Sequence, residues 1–215
     1  MSPPRLNYSR AETRLDRAVH VTGLGLAVLA VPLLIGAALV RSLDSGSSSF
    51  VLAVLVYGLS FLAMIGASAL FNTGVNPALN WLFQRIDHAA IYLKIAGTYT
   101  PFTLITGQGL WLLAGLWGAA ALGVMIKIVS PVRFRVLALG LYLAMGWAGV
   151  AILPGLAEVL PLPVVVLMVA GGVIYTLGVV FYLWTHLPYH YVIWHIFVLV
   201  ASFLFYAAVL LLLIG

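Results

Sequence analysis

The sequence predicts an all-α protein that crosses a membrane repeatedly. Of its 215 residues, 64% are hydrophobic and only 7% are charged, which excludes an ordinary soluble domain and a disordered chain. The apolar residues form seven runs, each close to the length of about 20 residues that a helix needs to cross the hydrocarbon layer. Short segments holding Gly, Ser, Pro or charge separate the runs. These observations predict a single seven-helix transmembrane domain over residues 1–215.

The first two predicted spans are Val21–Leu39 and Val51–Phe71. The first apolar run is full length and follows a segment rich in arginine, so we expect it to remain as a span and not to be removed as a signal peptide. Residues 1–19 are then expected to be a cytoplasmic segment. The polar loop from Arg41 to Phe50 is too short for another domain and is expected to be a solvated turn.

The remaining five runs complete the bundle. The third contains Pro101, which removes a backbone hydrogen bond and is expected to bend that helix. The sixth contains several glycines, which allow close helix approach. In chain order the five predicted spans are Ala89–Ile105, Leu110–Val129, Val136–Leu153, Val164–Trp184 and Val192–Ile214.

The basic residues indicate the orientation of the bundle, because Lys and Arg accumulate in cytoplasmic loops. The loops on the other side hold only Arg41, so the amino terminus is predicted to be cytoplasmic and the carboxyl terminus outside. Basic residues distributed in this way indicate topology and no nucleic-acid partner. The basic residues on the predicted cytoplasmic side are Arg5, Arg10, Arg14, Arg17, Arg85, Lys127, Arg133 and Arg135.

The stretch from Arg85 to Phe102 carries the strongest functional signal, because it places Asp87, His88 and Lys94 at the start of a predicted span. Ionisable groups inside a membrane cost several kcal/mol on most scales, so they mark candidate functional sites. The chain has no cysteine. Any metal would therefore depend on histidine and carboxylate ligands.

Four sequence blocks make this chain resemble the hemolysin III family, the bacterial branch of the progestin and adipoQ receptor group, whose fold is similar to that of alkaline ceramidases. The resemblance extends in order over nearly the whole chain. The blocks are Glu12 with Asp16 and His20, then Ser68–Asn72, then Arg85–Phe102, and finally Pro188–His195.

The resemblance implies seven helices around a cytoplasm-facing polar cavity in the bacterial inner membrane. In relatives it implies a zinc ion held by one histidine of helix two and two of helix seven, beside a serine and an aspartate. Ser68, Asp87 and His195 match that pattern, but Asn72 and Tyr191 stand where two histidines are expected. Amide and neutral phenol oxygens are poor zinc ligands, so the zinc site is expected to be lost or altered. His195 would be a ligand if a metal is retained.

Two residues keep alternative interpretations. Lys94 lies seven residues after Asp87 on the same helical face, so it either pairs with Asp87 and replaces the charge of a lost metal, or extends to the membrane surface. Asp87 either lines the cavity or caps its helix. His20 and His190 are expected to be interfacial, structural residues.

Three functions follow for testing. The leading hypothesis is a membrane protein whose cavity binds a lipid or another amphipathic ligand, with membrane lipids as its surroundings and Asn72, Lys94, Tyr191 and His195 lining the cavity. The second is a zinc-dependent hydrolase of lipid amides or esters, with Asp87 and Ser68 as the catalytic candidates. The third is a proton- or ion-coupled transporter that uses Asp87, Lys94 and His195 as a relay.

Overall fold

In the computed structural model, which describes residues 8–129 and 135–215, long helices dominate. Arg5 and Arg133, which contributed to the predicted orientation, lie outside the described residues. A short 3₁₀ turn, Pro77–Leu79, leads into α3. The α-helices are α1 Arg10–Ser45, α2 Ser49–Thr73, α3 Asn80–Thr106, α4 Leu110–Val129, α5 Arg135–Trp147, α6 Leu153–Val159, α7 Leu162–Leu183 and α8 His190–Ile214.

Six helical segments of the described chain are long and apolar enough to cross a membrane. They are α1, α2, α4, α7, α8 and the composite segment Leu137–Val159, which combines α5 and α6. The prediction of an all-α polytopic membrane protein is therefore confirmed. The remaining predicted span corresponds to α3, whose polar residues lower its hydropathy. Because α3 packs between α2 and α4, much of its surface faces other helices and does not need to be apolar.

The first helix starts earlier than the apolar run predicts. It runs unbroken from Arg10, so residues 10–19 belong to the same helix as the span. A capping box begins it: Ser9 Oγ accepts a hydrogen bond from the Glu12 backbone N–H at 3.1 Å, and the Glu12 carboxylate accepts one from the Ser9 N–H at 2.7 Å. The same carboxylate accepts a bond from Tyr189 N–H at 2.8 Å, which fixes the start of α1 beside the start of α8.

The predicted fifth span, Val136–Leu153, is interrupted. Its α-helix ends at Trp147, a 3₁₀ segment covers Ala148–Ile152, and α6 follows. The Tyr99 hydroxyl of α3 donates a hydrogen bond to Gly146 O at 2.6 Å and accepts one from Gly149 N–H at 2.9 Å. A side chain that satisfies these backbone groups replaces the helical hydrogen bonds at the break.

Two apolar clusters hold the helices together, and the bundle also contains a large cavity. One cluster lies mainly among α1, α2, α7 and α8 and includes Tyr57 and Phe61, while the other joins α3 and α4 around Tyr92. The cavity has a volume of about 1090 Å³ and is lined by residues of nearly every helix. Its position within the bundle makes it the natural place to search for a site.

Candidate functional site

Polar side chains from four helices meet at the end of the bundle where α1, α3 and α8 begin and α2 ends. All of them line the large cavity. The two carboxylates and two imidazoles among them are buried, with exposed fractions of 6–8%. We refer to this set as the polar cluster: Asp16, His20, Ser68, Asn72, Asp87, Tyr191 and His195.

Asp16 links the two histidines of the polar cluster. Its Oδ1 lies 2.5 Å from Nδ1 of His195, across the contact between α1 and α8. Its backbone oxygen lies 2.7 Å from Nδ1 of His20, one turn further along α1. A carbonyl oxygen only accepts, so Nδ1 of His20 carries the hydrogen and Nε2 of the neutral ring is an acceptor.

Ser68 connects this pair to α2. Its hydroxyl lies 3.1 Å from Nε2 of His20 and 3.3 Å from Nδ2 of Asn72, and the Asp87 side chain of α3 lines the same cavity. Asp87 lies well inside α3, which begins at Asn80, and the residue at the helix cap is Leu79. Asp87 is therefore a cavity residue and not the cap of its helix.

Asn72 and Tyr191 occupy the positions where the resemblance implies zinc-binding histidines. The Tyr191 hydroxyl donates to Asn72 Oδ1 at 3.3 Å, and Asn72 Nδ2 donates to Ser68 O at 3.0 Å. Each of these polar atoms thus has a protein partner, and the Tyr191–Asn72 bond is the longer of the two. Together with the weak affinity of amide and phenol oxygens for zinc, these bonds mean that the two positions do not fit the zinc centre implied for relatives.

Lys94 is buried deeper in the cavity, with 3% of its surface exposed. Its Nζ donates to Thr98 Oγ1 at 3.0 Å and lies 4.0 Å and 4.7 Å from the ring centres of Tyr57 and Phe61. Neither sequence interpretation describes this placement: within the described residues no carboxylate lies within ion-pair distance of Nζ, and the side chain does not reach the membrane surface. Two aromatic faces attract the ammonium away from Asp87.

The structure brings Ser68, Asn72, Asp87, Tyr191 and His195 together, whereas Lys94 lines another part of the same cavity. Sequence reasoning missed Asp16 and misjudged His20, which is buried in the cluster and not interfacial. The spacing of Asp16 and His20 could have indicated the site. The two residues are four apart, so they share a helical face, and both precede the first apolar run.

His190 was also expected at the interface but is buried, with 4% of its surface exposed. Its Nδ1 lies 3.3 Å from Phe181 O and its Nε2 lies 3.3 Å from the Tyr8 hydroxyl. It is therefore held apart from the polar cluster, although it lies only five residues before His195.

The fold and the polar cluster define a polytopic helical membrane protein with a large cavity among its helices, which the polar cluster lines at one end. Residues 10–206 match the family model described as Haemolysin-III related. The chain belongs to this family.

Similar proteins are found in bacteria and in mammals. The chain is 40% identical over 191 residues to "Hemolysin-3" of Bacillus cereus, covering 87% of this chain and 86% of that protein. It is 33% identical over 198 residues to "Hemolysin-3 homolog" of Bacillus subtilis (strain 168), covering 91% of each. It is 27% identical over 200 residues to the human "Monocyte to macrophage differentiation factor", covering 85% of this chain and 79% of that protein. The last similarity supports the relation to the progestin and adipoQ receptor group.

Proposed function

We propose that this protein binds a lipid or another amphipathic ligand in its intramembrane cavity. The observation that carries the proposal is the cavity itself, whose volume of about 1090 Å³ is slightly above the range of typical ligand sites, about 300–1,000 Å³. Its walls combine the polar cluster with apolar side chains such as Met64, Phe102, Val198, Leu199 and Phe205. A ligand with a polar head and an apolar chain matches both surfaces.

We infer that the end of the bundle with the polar cluster faces the cytoplasm of a bacterial inner membrane. Arg10, Arg14, Arg17 and Arg85 lie at this end, and Lys127 lies in the last turn of α4. Arg41 lies near the carboxyl end of α1, at the other end of the bundle. The excess of basic residues at one end supports this orientation.

Lys94 supports a ligand head that accepts hydrogen bonds or carries negative charge. An ammonium group has three N–H donors, and the described residues supply one hydrogen-bond acceptor, Thr98 Oγ1. The rings of Tyr57 and Phe61 hold the cation on one side, while Lys94 lines the cavity on another. A carboxylate or phosphate in the cavity would compensate a charge that is costly to bury alone.

A binding experiment on purified protein tests this function. Native mass spectrometry should find a co-purified amphipathic molecule, and the protein depleted of it should bind a fluorescent long-chain fatty acid. Lys94→Met should weaken that binding by about 1.5–3 kcal/mol, the value of a hydrogen bond to a charged group. This corresponds to roughly a 10- to 150-fold rise in Kd. A long-chain alcohol and a phospholipid, tested in parallel, distinguish a carboxylate head from other heads.

Arg41→Met is the matched control, because it removes a cation that does not line the cavity. Its Kd for the fluorescent fatty acid should equal that of the unmodified protein. If neither a co-purified amphipathic molecule nor binding of the probe is found, the proposed function is wrong. Unchanged binding in Lys94→Met would remove Lys94 from the ligand contacts and leave the cavity as the site.

A further inference from the structure

We propose that Asp16, His20 and His195 form a binding site for a divalent transition metal of the zinc type. One ligand atom from each of these three side chains lies within 4.8 Å of the other two. The site is built between α1 and α8, so it differs from the arrangement that the family resemblance implies, in which helix two supplies a histidine. The inference does not depend on lipid binding.

The donor set suits such an ion. Zinc is bound by imidazole nitrogen and carboxylate oxygen, and two histidines with one carboxylate leave a position open for water or another ligand. All three side chains are buried, with exposed fractions of 7% for Asp16, 6% for His20 and 8% for His195. Burial limits competition from bulk water for the ligand atoms.

The charge balance of the cluster also favours a cation. Asp16 and Asp87 are both buried in it, and among the described residues no Lys or Arg lies within ion-pair distance of either carboxylate. The Asp16 backbone oxygen accepts from Nδ1 of His20 and so fixes the tautomer of the neutral ring, which adds no positive charge to the cluster. The ion-pair partners of Asp16 are the two histidines, which carry charge only when protonated, and a divalent ion would compensate both carboxylates at once.

The ligands are already oriented by other contacts. The His20 Nδ1–H donates to the Asp16 backbone oxygen at 2.7 Å, so Nε2 is the ring nitrogen that keeps a lone pair for a metal. This is the outer hydrogen bond that metal-binding histidines commonly make. Next to Nε2 lies the Asn72 side-chain nitrogen, at 3.3 Å, and exchange of the two ends of that amide would present its oxygen instead.

Asp16 meets the other histidine directly. Its Oδ1 is hydrogen-bonded to Nδ1 of His195 at 2.5 Å, so binding of a metal by these two atoms displaces the proton that they share. A bound zinc ion lowers the pKa of its water to about 7 and can polarise a carbonyl group. The protein residues contribute the ligands, their orientation and the exclusion of solvent.

Metal analysis of the full chain tests the site. The protein is purified in detergent through a tag that contains no histidine, stripped with a chelator, reloaded with Zn²⁺ and freed of excess metal. We expect one Zn²⁺ per chain, and a visible absorption band of low-coordinate Co²⁺ when that ion replaces zinc. His20→Ala and His195→Ala should each lower the affinity by more than about 100-fold, beyond the effect of losing an outer partner.

Asp16→Asn provides a second variant that keeps side-chain shape, in case an alanine variant does not fold. Zn²⁺ should raise the unfolding temperature of the unmodified protein and not that of Asp16→Asn. His190→Ala is the matched control, because it removes a buried histidine of α8 outside the cluster and should retain the metal.

Two variants distinguish this site from the family arrangement. Asn72→Ala and Tyr191→Phe should retain stoichiometric zinc, because neither residue belongs to the three-residue set. A protein that takes up no Zn²⁺ or Co²⁺ at micromolar concentration would overturn the proposal. Loss of metal in Tyr191→Phe together with retention in His20→Ala would also overturn it, and would place the ion between α2 and α8.

Discussion

The replacement of Gly97 by alanine tests the contact that sets α2 against α3. A Cβ atom at Gly97 would overlap the Ser60 hydroxyl, lie 2.8 Å from the Ser60 Cβ and lie 3.4 Å from the Val56 backbone oxygen. Ser60 is buried, with 7% of its surface exposed, and its hydroxyl is bonded to Tyr57 O at 2.8 Å. The added methyl group therefore forces the two helices apart.

The magnitude follows from overpacking in a close-packed interior. Added carbon atoms in such a position cost about 1–3 kcal/mol in the free energy of unfolding. Gly118 of α4 is the matched control, because a Cβ there meets no atom within 4 Å. Gly118→Ala should gain about 0.5–1 kcal/mol from the better helix propensity of alanine. The two variants should therefore differ by about 1.5–4 kcal/mol in unfolding free energy.

Reversible unfolding in mixed detergent micelles, followed by circular dichroism, measures this difference. The double variant Gly97→Ala with Ser60→Gly should recover part of the loss, because the overlapping side chain is removed and the two sites are in contact. Equal stability of Gly97→Ala and Gly118→Ala would refute the close approach of α2 and α3. The polar cluster would then lose its structural basis, since these helices carry Ser68 and Asp87.

Two further substitutions test the break in the fifth span and the start of α1. Tyr99→Phe should lower the unfolding free energy by about 1–3 kcal/mol for each buried backbone group left unsatisfied, at Gly146 O and Gly149 N–H, and an unchanged unfolding curve would contradict this role. Ser9→Ala should cost about 1 kcal/mol and speed amide hydrogen exchange in the first turn of α1, where Glu12 N–H loses its acceptor; unchanged exchange there would show that the cap is dispensable.

Parts of the site were predictable from the sequence because their signals are local. Asp87, immediately before the third predicted span, and His195, within the last one, stand out as ionisable groups next to long apolar runs. Asp16 and His20 precede the first apolar run, so Asp16 was expected in the cytoplasmic segment and His20 at the membrane interface. Their burial depends on α8 packing against the start of α1, which the local pattern does not encode.

The contacts of Lys94 could not be predicted from the sequence for a related reason. Helical periodicity places Lys94 and Asp87 on one face, but the side chain follows the rings that α2 presents to it. The break after Trp147 has the same origin, because Tyr99 of another helix satisfies the backbone there.

The amino-acid sequence by itself determined the fold class and the extent of most membrane helices, since both follow from composition and the length of apolar runs. The tertiary structure alone decided that Asp16 and His20 join His195, and that Lys94 faces Tyr57. The physical reason is that a helix dictates which of its own residues share a face, whereas side-chain packing between helices selects the faces that meet.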